Sequence, residues 1–175
     1  MSRAGGKDSA RPGGANRTLT LDEETSTQIS SSEKPRAARV LVVDDFPVLR
    51  KLVRRTLTKV GYEVVGAETG RQAIELARAE SFDVVLSDVS MPDMNGVDVL
   101  RELHGSDPDL PVLLISGAPD LTTAMEAVEY GAFGYLMKPV EPNKLRDSIA
   151  RAVESGRKRQ EAKVALDRYQ RENAD

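Results

Sequence analysis

Residues 82–96 read FDVVLSDVSMPDMNG, and the succession of apolar, acidic and turn-forming residues there decides the fold. The run Phe82–Leu86 is apolar but for Asp83, and it stops at Ser87-Asp88. A Met91-Pro92 turn follows, and Asn95-Gly96 opens a helix. A short apolar run without polar alternation suits a parallel strand covered on both faces. A carboxylate at the carboxyl end of such a strand faces the crevice where open α/β sheets bind ligands. An Asp in that place more often caps a helix or holds a turn. Asp88 therefore gains meaning only from what the other strands bring beside it.

The same grammar recurs on both sides. Val40–Val43 is a β-branched apolar run that stops at Asp44-Asp45. Pro47 then suits a first helical turn, where its missing N–H is no loss. Val48, Leu49, Leu52, Val53, Leu57 and Val60 follow on a helical period, until Gly61 stops it. A second strand is predicted over 62–67 and a second helix over 70–80 carrying Ala73, Ile74, Leu76 and Ala77. A third helix covers 97–103 and a fourth strand 111–115, ending at Ser116-Gly117. A fourth helix covers 120–130, with Leu121, Ala124, Met125 and Val128 on one side. A fifth strand, 134–137, closes at Lys138-Pro139, and a fifth helix from Pro142 turns Leu145, Ile149 and Val153 inward. Five strand–helix alternations with short connections imply the α/β class, a parallel sheet with helices on both faces, over residues 38–156.

Residues 1–37 are rich in Gly, Ser, Thr, Arg and Pro and read as a flexible tail, within which a short helix from Leu21 could form on a partner. Residues 157–175 read as a helical extension or linker; no sustained heptad runs through them, since Arg159, Lys163 and Gln170 interrupt the seam. The domain could work alone or be the front of a longer regulator, and the polar, unfinished helical pattern here hints at the second.

Composition narrows the function. The chain has 175 residues, 39% hydrophobic and 30% charged, with net charge −3, which disfavours a surface made for nucleic acid. No cysteine is present, which removes disulfide and thiolate chemistry and fits a reducing compartment. No apolar run reaches the ~18 residues of a membrane span, and residues 1–14 lack the apolar stretch of a secretory signal. A cytoplasmic protein is expected.

In a parallel sheet all carboxyl ends share one edge. Asp44, Asp45, Asp88, Ser116 and Lys138 are therefore expected to converge, although about ninety positions separate the first from the last. Three acids so placed repel one another unless a cation sits among them. Carboxylates with room for water suit Mg²⁺. His104, the only histidine, falls at a helix end away from that edge and is expected to be an exposed terminus. Lys138 opposite a cation would hold a phosphoryl group from two sides. A carboxylate can be the nucleophile, and Asp88, the central one, is the best candidate.

The combination VLVVDD, DVSMPDMNG, LLISG and GAFGYLMKP resembles the receiver domain of two-component response regulators, the CheY-like fold, over residues 39–155. The resemblance implies a doubly wound sheet of order 2-1-3-4-5. It implies that Asp45 binds Mg²⁺ directly, Asp44 through water, and that Asp88 and the backbone carbonyl of Ser90 complete the protein ligands. Asp88 would be the phosphoacceptor, Lys138 the phosphate-pairing lysine with a cis bond to Pro139, Ser116 the switch hydroxyl and Tyr135 the switch aromatic. Ser90 and Ala118 take the two positions that tune phosphoryl lifetime; lacking an acid or amide at either, the domain is expected to lose its phosphoryl group slowly. The expected donor is a sensor histidine kinase or histidine phosphotransfer protein, docking on Phe46, Pro47, Val48 and Lys51. Output would pass through the helix 4–strand 5–helix 5 face, and either that face or the C-terminal helix could also serve a homodimer. No contact with nucleic acid or membrane is expected, and no enzymatic activity beyond the domain's own phosphorylation and dephosphorylation. Two alternatives compete. A phosphohydrolase would need a second acid two residues after the nucleophile, where Ser90 stands. A flavin carrier would need a Gly/Ser/Thr loop after strand 1, where the chain has Asp-Asp-Phe-Pro.

Overall fold

The computed structural model describes residues 36–174. The tail assigned to 1–37, with its helix from Leu21, lies outside them but for its last two residues. Five strands alternate with five helices: β1 Arg39–Val43, α1 Pro47–Thr58, β2 Glu63–Ala67, α2 Gly70–Ala79, β3 Val84–Asp88, α3 Gly96–Ser106, β4 Val112–Ser116, α4 Leu121–Glu129, β5 Gly134–Met137 and α5 Pro142–Glu172. The strands pair in the order β2-β1-β3-β4-β5, every pair parallel. This is the predicted doubly wound sheet.

Side chains alternate across a strand, so each central strand feeds two cores. Val40 and Val42 of β1, Val84 and Leu86 of β3, and Leu113 and Ile115 of β4 point to the side covered by Val53 and Leu57 of α1 and Leu145, Ile149 and Ala152 of α5. Leu41, Val43, Val85, Val112 and Leu114 point to the other, under Ala73 and Ile74 of α2, Val97, Leu100 and Leu103 of α3, and Ala127 of α4. Burial on both faces is why these strands read as unbroken apolar runs. Each buried Leu, such as Leu57 or Leu100, contributes about 1.5–3 kcal/mol.

The register sets the site. Val43 pairs with Ser87, Asp88 with Ile115, and Ser116 with Met137, so the residues that follow or close these strands leave the sheet at nearly one level.

In three helices the structure decides a face or an end that the sequence pattern left open. In α1 the buried residues are Val53, Thr56 and Leu57, while Val48 and Leu52, and Val60 just past its end, are exposed. The helix is rotated so that a threonine takes an inner position and one apolar edge meets solvent. In α4 only Ala127 is buried, and the shared side of Leu121, Met125 and Val128 faces outward. The helical extension expected over 157–175 is a continuation of the fifth helix: α5 runs unbroken through Gly156 to Glu172. Gly156 sits where α5 passes Pro111, whose Cγ would lie 3.3 Å from an added Cβ. From Arg157 onward every described residue of the helix is exposed.

Candidate functional site

β1 delivers Asp44, which is 1% exposed; its Oδ1 accepts the Phe46 N–H at 2.8 Å, the local turn that stops the strand. β3 ends on Asp88, 3% exposed, whose Oδ1 accepts the Ser90 N–H at 3.2 Å. Lys138, directly after β5 and joined by a cis bond to Pro139, reaches across the edge. Its ammonium donates to Asp44 Oδ2 at 3.1 Å and Asp88 Oδ2 at 2.9 Å. Asp45 completes the group: one oxygen from each of Asp44, Asp45 and Asp88 lies within 4.8 Å of the others. Its Oδ1 is buried with no hydrogen-bond partner.

The charge is unbalanced. Three carboxylates face one ammonium, and two like charges within 4.8 Å repel by at least about 3 kcal/mol at an effective dielectric constant near 20. Burial pushes the Asp44 carboxyl above the ordinary aspartate range, against the Phe46 N–H and Lys138, which favour its charged form. Burial works to lower Lys138, but its bonds to Asp88 and Asp44 outweigh it and hold the ammonium above the usual lysine range. A hard divalent cation fits this donor set. It would satisfy the orphaned Asp45 oxygen and balance the acids that Lys138 leaves uncompensated.

Ser116 closes β4 beside this group, 1% exposed, and its Oγ accepts the Ala118 N–H at 3.2 Å. Tyr135 is half-buried against the core below α3 and α4, and its hydroxyl is buried without a partner. Ser90 and Ala118 stand exposed at the rim. Phe46, Pro47, Val48 and Lys51 are all exposed at the start of α1, so Val48 is no core residue. His104 is not the exposed terminus expected. It is half-buried in the last turn of α3, with Nδ1 3.0 Å from the Tyr130 carbonyl oxygen and Nε2 2.9 Å from that of Leu110. Packing of α3 against the end of α4 draws it in.

Two residues that support the site escaped sequence reasoning. Arg50 of α1 donates to the Asp44 carbonyl and, at 2.8 Å, to Glu68 after β2, bracing the β1–α1 turn. Asp93, in the loop after β3, accepts the N–H groups of Gly70 and Arg71 at 3.2 and 3.0 Å. Gly96, by contrast, was legible from the Asn-Gly pair. An added Cβ there would collide with the Asp88 carbonyl oxygen, so only glycine lets the loop close with its N–H on the Val89 carbonyl at 2.9 Å.

Residues 40–150 match the family model for the response regulator receiver domain. The chain belongs to that family. Among relatives, the receiver is 35% identical over 112 residues to chemotaxis protein CheY of Thermotoga maritima, covering 63% of this chain and 93% of CheY. It is 41% identical over 117 residues to the C4-dicarboxylate transport transcriptional regulatory protein DctD of Pseudomonas aeruginosa, covering 66% of this chain but only 25% of DctD. A solved CheY-like receiver domain protein from Methanospirillum hungatei superposes with TM-score 0.69 at 29% identity, covering 71% of this chain and 99% of the other. Receiver domains serve two-component phosphoacceptor signalling, and the acidic cluster and lysine lie where the fold gathers its strand ends. Among the described residues no helix is long and apolar enough to cross a membrane.

Proposed function

We propose that this receiver accepts a phosphoryl group on Asp88 from the phosphohistidine of a kinase or phosphotransfer protein and passes the change to its α4–β5–α5 face. The observation that carries the reading is the convergence of Asp88 with Asp44, Asp45 and Lys138. A carboxylate oxygen of Asp88 attacks phosphorus, the phosphorus–nitrogen bond breaks, and its electron pair returns to the imidazole, which takes up a proton. Asp45, Asp88 and the Ser90 carbonyl would hold Mg²⁺, with Asp44 acting through water, and the ion would neutralise charge on the transferring oxygens. Lys138 already lies 2.9 Å from the nucleophilic carboxylate and would follow the phosphoryl oxygens once the bond forms. Beyond this transfer onto its own aspartate and the later release of the group, no enzymatic activity is part of the proposal.

The phosphoryl group brings extra negative charge and several acceptor oxygens. Ser116 would turn from the Ala118 N–H toward them, and Tyr135 would follow, shifting the population between two packings. Leu121, Met125, Val128 and Met137 stand 61–79% exposed on α4 and β5 and supply the apolar surface that output, or a second copy, would cover. The exposed start of α1, Phe46 to Lys51, beside the acids suits donor docking. The chain spans 25% of DctD and 27% of the transcriptional regulatory protein GlrR of Escherichia coli, so action through a further output domain is part of this proposal. With Ser90 and Ala118 at the rim, no side chain there orients water, and release of the phosphoryl group is expected to take far longer than seconds.

The test is labelling by a small phosphodonor with Mg²⁺. Wild type is expected to take up one phosphoryl group and Asp88→Asn none. Full labelling of Asp88→Asn would reject the assignment, and a label half-life of seconds would reject the slow-release reading.

A further inference from the structure

The first turn of α2 carries four backbone N–H groups with no partner inside the helix. Thr69, the N-cap, serves one of them from its own position: its side chain accepts from Gln72 at 3.1 Å. Two more, on Gly70 and Arg71, are received by Asp93, more than twenty residues further along. The same loop presses Met94 onto Gly70, where an added Cβ would collide with the Met94 side chain. Asp93 and Met94 thus lock the loop that leaves the phosphoacceptor onto the start of a different helix.

Met91 also packs this loop against the core, but side-chain hydrogen bonds that hold it are few. Ser90 N–H reaches back to Asp88, and Gly96 N–H to Val89, at its two ends. Among the described residues, Asp93 is the one side chain between Ser90 and Asn95 that hydrogen-bonds another element. Its negative charge also sits at the positive end of α2. Burial acts to raise its carboxyl, but the N–H groups of Arg71, Gly70 and its own loop outweigh it and keep it below the usual aspartate range.

We infer that Asp93 is a positioning residue for the cation site, clamping the β3–α3 loop onto the N-terminus of α2 so that the Ser90 backbone is held ready for the ion. This rests on the cation reading above. By reciprocity, an ion that favours the clamped loop must also tighten the first turn of α2, by the same factor by which the clamp tightens ion binding. Outer-shell partners of metal ligands contribute on the order of 10-fold or more in affinity.

The experiment uses the whole chain without phosphodonor. Mg²⁺ titrations of wild type, Asp93→Ala and Asp93→Asn are followed by calorimetry, and amide exchange at Gly70 and Arg71 is measured with and without saturating Mg²⁺. Wild type is expected to bind Mg²⁺ and to slow exchange at both amides, while Thr123, capped within α4 by Asp120, stays unchanged. Asp93→Ala is expected to bind about 10-fold more weakly and to lose the ion-dependent protection. Asp93→Asn, which keeps an acceptor oxygen without the charge, should fall between and serves if the alanine variant does not fold. Faster exchange with unchanged Mg²⁺ affinity in these variants would make the clamp a structural cap only and overturn the inference. Absence of Mg²⁺ binding in wild type would instead overturn the cation reading beneath it, and the inference with it.

Discussion

β1 begins and ends in charge, and its two ends behave differently. At the amino edge Arg39 pairs with Glu63 at 2.9 Å and Glu80 at 2.6 Å, and Arg36 pairs with Asp83 at 3.2 Å. At the carboxyl edge Lys138 alone serves Asp44 and Asp88, with Asp45 beside them. Both ends gather three acids. The amino-edge acids keep 32–56% of their side-chain surface in water, whereas Asp44 and Asp88 keep 1% and 4%. Water solvates the surplus charge at one end, and at the other only a ligand can. Burial of the charge, more than its count, separates a site from a surface ion-pair network.

Removing Lys138 should expose the difference most. Lys138→Ala is expected to slow phosphorylation by about 10²–10³-fold, since a preorganised cation opposite the transferring group is lost. Mg²⁺ should meanwhile bind more tightly, because the ammonium no longer competes for Asp44 and Asp88. Stopped labelling assays and ion titrations measure the two; equal loss of both would mean that the variant had disturbed the acids themselves.

Neutralising one buried acid should stabilise the ion-free fold. The Asp44 carboxyl is raised by burial, so between its unfolded and folded ranges the native state holds more protons than the unfolded chain, and stability falls as pH rises through that window. Asp44→Asn removes this penalty while keeping an oxygen for the Phe46 N–H. Its melting temperature without divalent ions is expected to exceed wild type by about 2–4 °C at neutral pH, with the gain vanishing in acid. A gain that persists unchanged at low pH would point to a cause other than charge. Lys138, raised by its partners, loses stability in the same direction but in a higher window: its pairing is fully present below the usual lysine range and is lost as pH rises through its folded value.

The amino edge should answer least. Arg39→Ala is expected to lower the melting temperature by no more than about 4 °C and to leave phosphorylation at the wild-type rate. A large loss of phosphorylation would join the two ends of the sheet in a way the comparison denies.

What could be read beforehand follows the same division. Strands buried on both faces announce themselves as apolar runs, and the polar residue that stops a run, Asp44 after β1, Asp88 in β3, Ser116 in β4 and Lys138 after β5, is visible as a letter. Helical faces were less legible. Period shows that Leu121, Met125 and Val128 share a side but not whether that side meets the sheet, and they face out. In α1 the inner place taken by Thr56 rotated Val48 and Leu52 into solvent. Asp93, Arg50 and His104 were missed for one reason: each bonds to backbone N–H or C=O groups, which every residue carries and no sequence marks.

The central claim, that a divalent ion and one acyl phosphate share the notch lined by Asp44, Asp45, Asp88 and Lys138, is tested most directly by mapping the phosphoryl group by mass spectrometry after reaction with a small phosphodonor across a Mg²⁺ titration. The account predicts a single phosphoryl group on Asp88, appearing in step with Mg²⁺ occupancy and absent after chelation. Labelling that is indifferent to Mg²⁺, or that maps to another residue, would contradict it.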